Sequence, residues 1–235
     1  MTTKYPRLDQ TIINKLDNPV WSSLAETHQQ HCLNLGGFRF FNPEYCPFGT
    51  FLEQKVDLKA LEDYAELANK FFVVGNKPDA RPENIKLVGE LVCDQMLLLQ
   101  HASVDFKDEI VLLNENHQKE LTDLVTLVMP GYYRSKTSLL GNYYGIFKDN
   151  KLVAVTGERM AINGATEVSA VVTHPQHLGN GYAKQLVAHV ANGILNEEKL
   201  PFLHVAATNM GAIKLYEKLG FTFRRKISFW NYEKL

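Results

Sequence analysis

At 235 residues, 45% of them apolar, the chain is long enough for one large domain or two small ones with a real core. Twenty-five Lys and Arg against 26 Asp and Glu leave a formal net charge of −1, so bulk charge gives no basis for nucleic-acid binding. Cys32, Cys46 and Cys93 are scattered with no CxxC, Met1 to Pro6 carries no apolar signal core, and no run is long enough to span a bilayer; a soluble, cytoplasmic protein without a disulfide framework is expected.

In chain order, Asp17-Asn18-Pro19-Val20-Trp21 predicts a helix entry, continued through Leu24 to Leu33 and stopped by Gly36-Gly37. Phe38 to Phe41 follows as a strand ending at Asn42-Pro43. Between Lys55 and Lys70, Leu58, Leu61, Tyr64, Ala65, Leu67 and Ala68 recur at helical spacing, before a strand at Phe71 to Val74. Residues 75–82 form a polar loop. Strands are expected at Ile85 to Val88 and Met96 to Gln100, with Leu91-Val92-Cys93 left unassigned between them. His28, His31 and Cys32 have zinc-like chemistry but no fourth ligand and no paired motif, so no metal is expected. Cys46, between Tyr45 and Pro47, has no evident base partner and is read as packing.

The pattern changes near Glu109. Ile110 to Leu113 predicts a short strand, and Asn116 caps a helix whose apolar face is Leu121, Leu124, Val125 and Val128, ended by Pro130-Gly131. Tyr143 to Phe147, Leu152 to Met160 and Ala165 to Thr173 form an antiparallel meander with turns at Asp149-Asn150 and Asn163-Gly164. The last of these strands breaks at Pro175, turns through Gly179-Asn180-Gly181, and enters a helix with Ala183, Leu186, Val187, Val190, Ile194 and Leu195 on one face. A strand feeding a glycine loop and a helix start is a cradle for phosphate: the first N–H groups of the helix have no carbonyl partner, and its dipole adds positive charge there. Pro201 to Ala207 is a further strand, parallel to the one ending at Thr173 through a right-handed crossover. Asn209 caps a short helix ending at Leu219 with Gly220 at C′, and Phe221 to Tyr232 closes the sheet.

Two blocks carry a resemblance. One is Val171-Val172-Thr173-His174-Pro175 followed by Gly179-Asn180-Gly181-Tyr182-Ala183. The other is Asn209-Met210-Gly211-Ala212-Ile213-Lys214-Leu215-Tyr216-Glu217-Lys218-Leu219-Gly220-Phe221. With this element order they resemble the GNAT superfamily of acyl-CoA-dependent N-acyltransferases, over about the last half of the chain. Within it the chain looks most like the glycine N-acyltransferase-like branch, in which a second domain precedes the catalytic one. The implied fold is α/β (α+β), a mixed, mostly antiparallel sheet with flanking helices. It divides into an N-terminal α/β domain at 1–107, a degenerate GNAT-like half, and a GNAT domain at 108–235. One departure stands out: Leu178 occupies the place of the family's usual Arg or Gln. Backbone N–H groups do the work of such a loop, and a leucine supplies one too.

The resemblance implies acetyl-CoA as acyl donor, no metal, and an amine of a small molecule or peptide as acceptor, attacked directly in a ternary complex. Gly179, Asn180, Gly181, Tyr182, Ala183 and Lys184 would hold the pyrophosphate, Val171, Val172 and Thr173 the pantetheine arm, and Asn209 would contact the coenzyme. Tyr216 would protonate the leaving thiolate, since a phenol of ordinary pKa near ~10 is protonated at neutral pH. Glu167 or His204 would take the proton of the amine, or water would. Tyr132, Tyr133, Arg134, Tyr143 and Tyr144 are expected at the acceptor cleft, with Phe229 and Trp230 opposite. A monomer or homodimer is expected, with neither nucleic acid nor membrane as partner. The rival reading is a non-catalytic acyl-CoA sensor, which Leu178 favours and Tyr216 and Asn209 oppose.

Overall fold

The structure, a computed structural model, describes residues 9–52, 57, 59–79 and 82–235. Met1 to Pro6, Lys55 and Leu58 lie outside the described residues. The N-terminal half opens with α1 (Gln10–Lys15) and α2 (Pro19–Ala25). The expected helix entry is realised in α2: Asn18 Oδ1 accepts from Trp21 N at 3.1 Å, and Pro19 sits where an N–H would have no partner. The helix stops at Ala25 instead of running to Leu33. Residues beyond it form β1 (Cys32–Leu35), paired with β2 (Phe38–Phe41). Gly36 and Gly37, at φ +50° and +90°, therefore make a hairpin turn and not a helix stop.

An unforeseen strand, β3 (Phe48–Phe51), precedes α3 (Lys59–Ala65) and β4 (Lys70–Val74). β5 (Ile85–Leu97) then runs unbroken through Leu91-Val92-Cys93. The C-terminal half contains β6 (Val111–Leu112), α4 (Gln118–Val128), β7 (Tyr143–Lys148), β8 (Lys151–Ile162) and β9 (Ala165–Thr173). After them come α5 (Tyr182–Asn196), β10 (Leu200–Ala206), α6 (Met210–Lys218) and β11 (Thr222–Lys234). The approach to α4 is capped by Asn114 rather than Asn116: its Oδ1 accepts from Asn116 N at 3.0 Å, opening a 3-10 turn that leads into the helix.

Among the described residues the eleven strands form one sheet in the order β1-β2-β3-β4-β11-β5-β10-β9-β8-β7-β6. The order is nearly palindromic. Each half builds a meander, makes one parallel pair across a helix (β3 with β4, β9 with β10), and hands its last strand to the other half. β5 leaves the N-terminal half to pair with β10, and β11 leaves the C-terminal half to pair with β4. The final strand is thus at the centre of the sheet, where Phe221 to Tyr232 had been expected to close it. One core is shared: Leu16, Val20, Phe41 and Phe48 pack in the same cluster as Met160, Phe202 and Phe229. The mixed, mostly antiparallel sheet with flanking helices agrees with the expected fold class.

Candidate active site

β9 and β10 pair only at Ala165↔Leu200, Thr166↔Pro201 and Glu167↔Phe202, and then diverge. Just past the vertex β9 bulges. Its neighbour β8 keeps Gly157↔Ser169 and Val155↔Val172, so Thr156 alone faces Ala170 and Val171, and Ala170 takes φ +51°. A non-glycine residue in that region is strained, and such bulges re-aim backbone groups. Val172 packs beneath α4, while Val171 lies on the opposite face with the α5 and α6 cluster. That second cluster also holds Val168, Leu203, Val205 and Tyr216, so Tyr216 packs with side chains of both diverging strands.

From Thr173 the chain enters the loop. His174 N donates to Val153 O at 2.8 Å, its Nδ1 accepts from Gln176 N at 3.2 Å, and Asn180 Nδ2 donates to His177 O at 3.0 Å. Gly179 and Gly181 stand at φ +82° and +77°, and a Cβ built on either would meet nothing within 4 Å. The loop therefore faces open space and lets a bulky anion approach the backbone. α5 begins at Tyr182, so the N–H groups of Tyr182, Ala183 and Lys184 have no carbonyl one turn earlier within the helix. A strap from the inter-half connection fixes α5 in place: Ala102 N donates to Asn192 Oδ1 at 2.8 Å, and Lys107 N to Gln185 Oε1 at 2.8 Å. Leu178 is 66% exposed at the loop's entry.

On the far side, Asn209 Oδ1 accepts from Ala212 N at 3.1 Å and caps α6, which is followed by Gly220 at φ +96°. Tyr216 is buried, its ring edge-on to Phe221 at 6.0 Å. Burial pushes its phenol up to about 12, so it stays protonated and can donate.

Glu167 and His204 meet at the vertex, inside a buried polar chain. Arg159 grips Glu167 bidentately, Nε to Oε2 at 2.9 Å and a terminal nitrogen to Oε1 at 2.8 Å, and lies over the Phe48 ring at 4.6 Å. His204 Nδ1 is 2.8 Å from Glu167 Oε1, and the two side chains are only 2% and 1% exposed. Burial alone would raise the Glu167 carboxyl; Arg159 and His204 outweigh it and hold it down at about 2. Across the ring, His204 Nε2 lies 3.1 Å from Gln95 Nε2, which also donates to Leu16 O at 3.0 Å. Arg224 donates to Gln95 Oε1 at 2.7 Å, to Ile13 O at 2.8 Å and to Asp17 at 2.6 Å. Arg224 is the bulge residue between Phe223 and Arg225 on β11, which aims its side chain inward.

The expected acceptor cleft divides. Tyr132, Tyr133, Tyr143, Arg159, Ser169 and Ala170 line a cavity of about 20 Å³ at the β9 bulge, room for about one water. Tyr144 faces the other way, 4.7 Å from the His189 ring, as strand alternation requires. Arg134 donates to Lys70 O at 3.0 Å, Phe229 lies in the shared core, and Trp230 Nε1 donates to Gly75 O at 3.0 Å; none of these three lines the cavity. His28 Nε2 accepts from Ala161 N at 3.2 Å, and burial with His31 nearby pushes its ring down to about 4. His31 stacks on Tyr45 at 3.9 Å. Burial pushes the Cys46 thiol up to about 12. Among the described residues no group of three or more His, Cys, Asp or Glu is placed to hold a metal.

The splayed parallel pair, the strained bulge beside it and the open glycine loop at a helix start together define the candidate site. Residues 143–230 match the family model described as FR47-like protein. A solved GNAT-family structure from Novosphingobium aromaticivorans DSM 12444 is 33% identical with a TM-score of 0.82, over 94% of this chain and 98% of that one. A GCN5-related N-acetyltransferase-like protein from Streptococcus suis 89/1591 shares the fold at 15% identity and a TM-score of 0.61, over 96% and 98%. A tandem GNAT protein from the clavulanic acid biosynthesis pathway does so at 15% identity and 0.53, over 84% and 78%. No curated protein matches. The chain belongs to the GNAT family, and its fold is that of N-acetyltransferases.

Proposed function

We propose that the chain is an N-acetyltransferase that passes the acetyl group of acetyl-CoA to an amine of a small molecule or peptide by direct attack in a ternary complex. The observation that carries this reading is the divergence of β9 from β10 after Glu167↔Phe202, with the Ala170 bulge beside it and the open Gly179–Gly181 loop beyond. Acetyl-CoA supplies the thioester carbonyl and the thiolate leaving group. Main-chain N–H groups from Gly179 to Lys184 hold its diphosphate, Val171, Val172 and Thr173 offer its amide arm a strand edge that β10 has left, and Asn209 flanks it. The re-aimed backbone at the bulge polarises the carbonyl, and the Tyr216 phenol protonates the departing sulfur. Its two-lobed order supports a reading within the glycine N-acyltransferase-like branch, and its three free thiols, Cys32, Cys46 and Cys93, support a cytoplasmic one.

Thiol release from acetyl-CoA with a panel of amines tests the reading. Turnover with at least one amine is expected, falling about 100-fold or more in Tyr216→Phe with coenzyme affinity retained. The exposed Leu178 at the loop entry favours one other outcome, a coenzyme sensor. Tight binding with no turnover for any amine would establish that instead.

A further inference from the structure

The direction of every hydrogen bond in the buried chain can be worked out from its ends. Glu167, held as an anion by Arg159, can only accept, so the proton shared with His204 sits on Nδ1. Arg224 can only donate, so the Gln95 atom facing it is the carbonyl oxygen. That turns the Gln95 amide N–H groups toward Leu16 O and toward His204 Nε2. Nε2 must therefore accept. A second proton on the ring would set two donors against each other at 3.1 Å, and rotating the Gln95 amide to relieve them would break its bonds to both Arg224 and Leu16 O.

We propose that Gln95, delivered from the N-terminal half by the exchanged strand β5, is a positioning residue of the transfer site. With Arg224 behind it, Gln95 fixes the proton count of the Glu167–His204 pair, so that the pair braces the vertex of the β9–β10 divergence and takes no proton during turnover. The groups facing His204 are Glu167 from β9, Gln95 from β5 and the Phe202 and Phe229 rings from β10 and β11. Arg159 from β8 and Arg224 from β11 stand one residue further out. The proton of the attacking amine then passes to solvent and not to this pair. The inference rests on the transferase reading for its kinetic arm only.

The spectroscopic arm needs no activity. In nitrogen-15 spectra of the full chain, the His204 ring should show a protonated Nδ1 and a bare Nε2. Gln95→Glu, which replaces the donor with an anion, should protonate both nitrogens. A wild-type ring with its proton on Nε2, or one unchanged by Gln95→Glu, overturns the proposal. In the kinetic arm, His204→Asn keeps a donor to Glu167 but offers no ring nitrogen to accept a proton. It should retain kcat within about tenfold with an unchanged pH profile, whereas loss of a proton acceptor would cost about 100-fold or more. His204→Asn falling by that larger factor, with coenzyme binding intact, would return the base role to His204. Absence of turnover in the wild-type chain would sink the transferase reading and leave the spectroscopic result standing.

Discussion

The two halves of the sheet repeat one plan and finish it differently. In the N-terminal half β3 and β4 pair at Phe48↔Phe72 and Gly49↔Val73 and then part, as β9 and β10 do after their three pairs. Side chains close the N-terminal gap. Thr50 Oγ1 donates to Val74 O at 2.8 Å, and Asn18 Nδ2 reaches Thr50 Oγ1 at 2.8 Å and Phe51 O at 3.2 Å. Two carbonyls that an amide-bearing ligand could use there, Val74 O and Phe51 O, already accept side-chain donors. The helix after the N-terminal gap has seven residues, against fifteen in α5. The C-terminal divergence carries instead a bulge at Ala170 and a glycine loop, open at Gly179 and Gly181, that leads into α5.

The comparison can be broken most severely by cutting it. If each half completes the other's sheet, residues 108–235 expressed alone lack β5 between β10 and β11, and should show no cooperative melt by circular dichroism. A well-dispersed, cooperatively melting fragment would make the halves independent domains and refute the exchange as a requirement. Next in size is Glu167→Gln, which leaves Arg159 buried without its anion and should cost about 3–5 kcal/mol by chemical denaturation. The same group sets a pH signature. Its carboxyl is depressed from 4.5 to about 2, so its stabilisation is complete above about 4.5 and is lost as pH falls toward about 2. Glu167→Gln should flatten that segment of the stability curve.

Thr50→Val removes the hydroxyl that fills the N-terminal gap. It should lower stability by about 1–3 kcal/mol, while calorimetric titration still finds one acetyl-CoA per chain at unchanged affinity. A second equivalent of coenzyme, in either protein, would erase the difference between the halves. The smallest effect is expected for Gly181→Ala. Its Cβ has room, but φ +77° strains any L-residue by about 1–2 kcal/mol, so coenzyme affinity should fall by up to about tenfold as the loop relaxes.

The elements with local signals were legible. Asn18 before Pro19, Asn209 before α6 and Gly220 after it all act as their chemistry required, and the Gly179–Gly181 loop opens a helix within one residue of the expected start. Misread elements had local signals that tertiary pairing overrode. Residues 32–35 follow a helix closely enough to look like its continuation, yet they pair with β2, and Phe48 to Phe51 gave too short a run to register as a strand. The strand exchange left no local trace, because a partner more than a hundred residues away is a property of the whole sheet. Arg159 was missed for a subtler reason. Counting back from the Asn163-Gly164 turn puts Met160 opposite Glu167; the irregularity between Glu158 and Ala161 shifts the register and brings Arg159 within reach. Gln95 and Arg224 could not be seen without the exchange that delivers them.

That exchange also constrains how the molecule is made. During synthesis the first half emerges with β4 lacking the neighbour that residues 222–234 will later supply, so an open strand edge waits for most of translation. Productive assembly is consequently a late, long-range event, slow by the usual relation between chain separation and rate, and the nascent protein has reason to depend on chaperones that shield such edges.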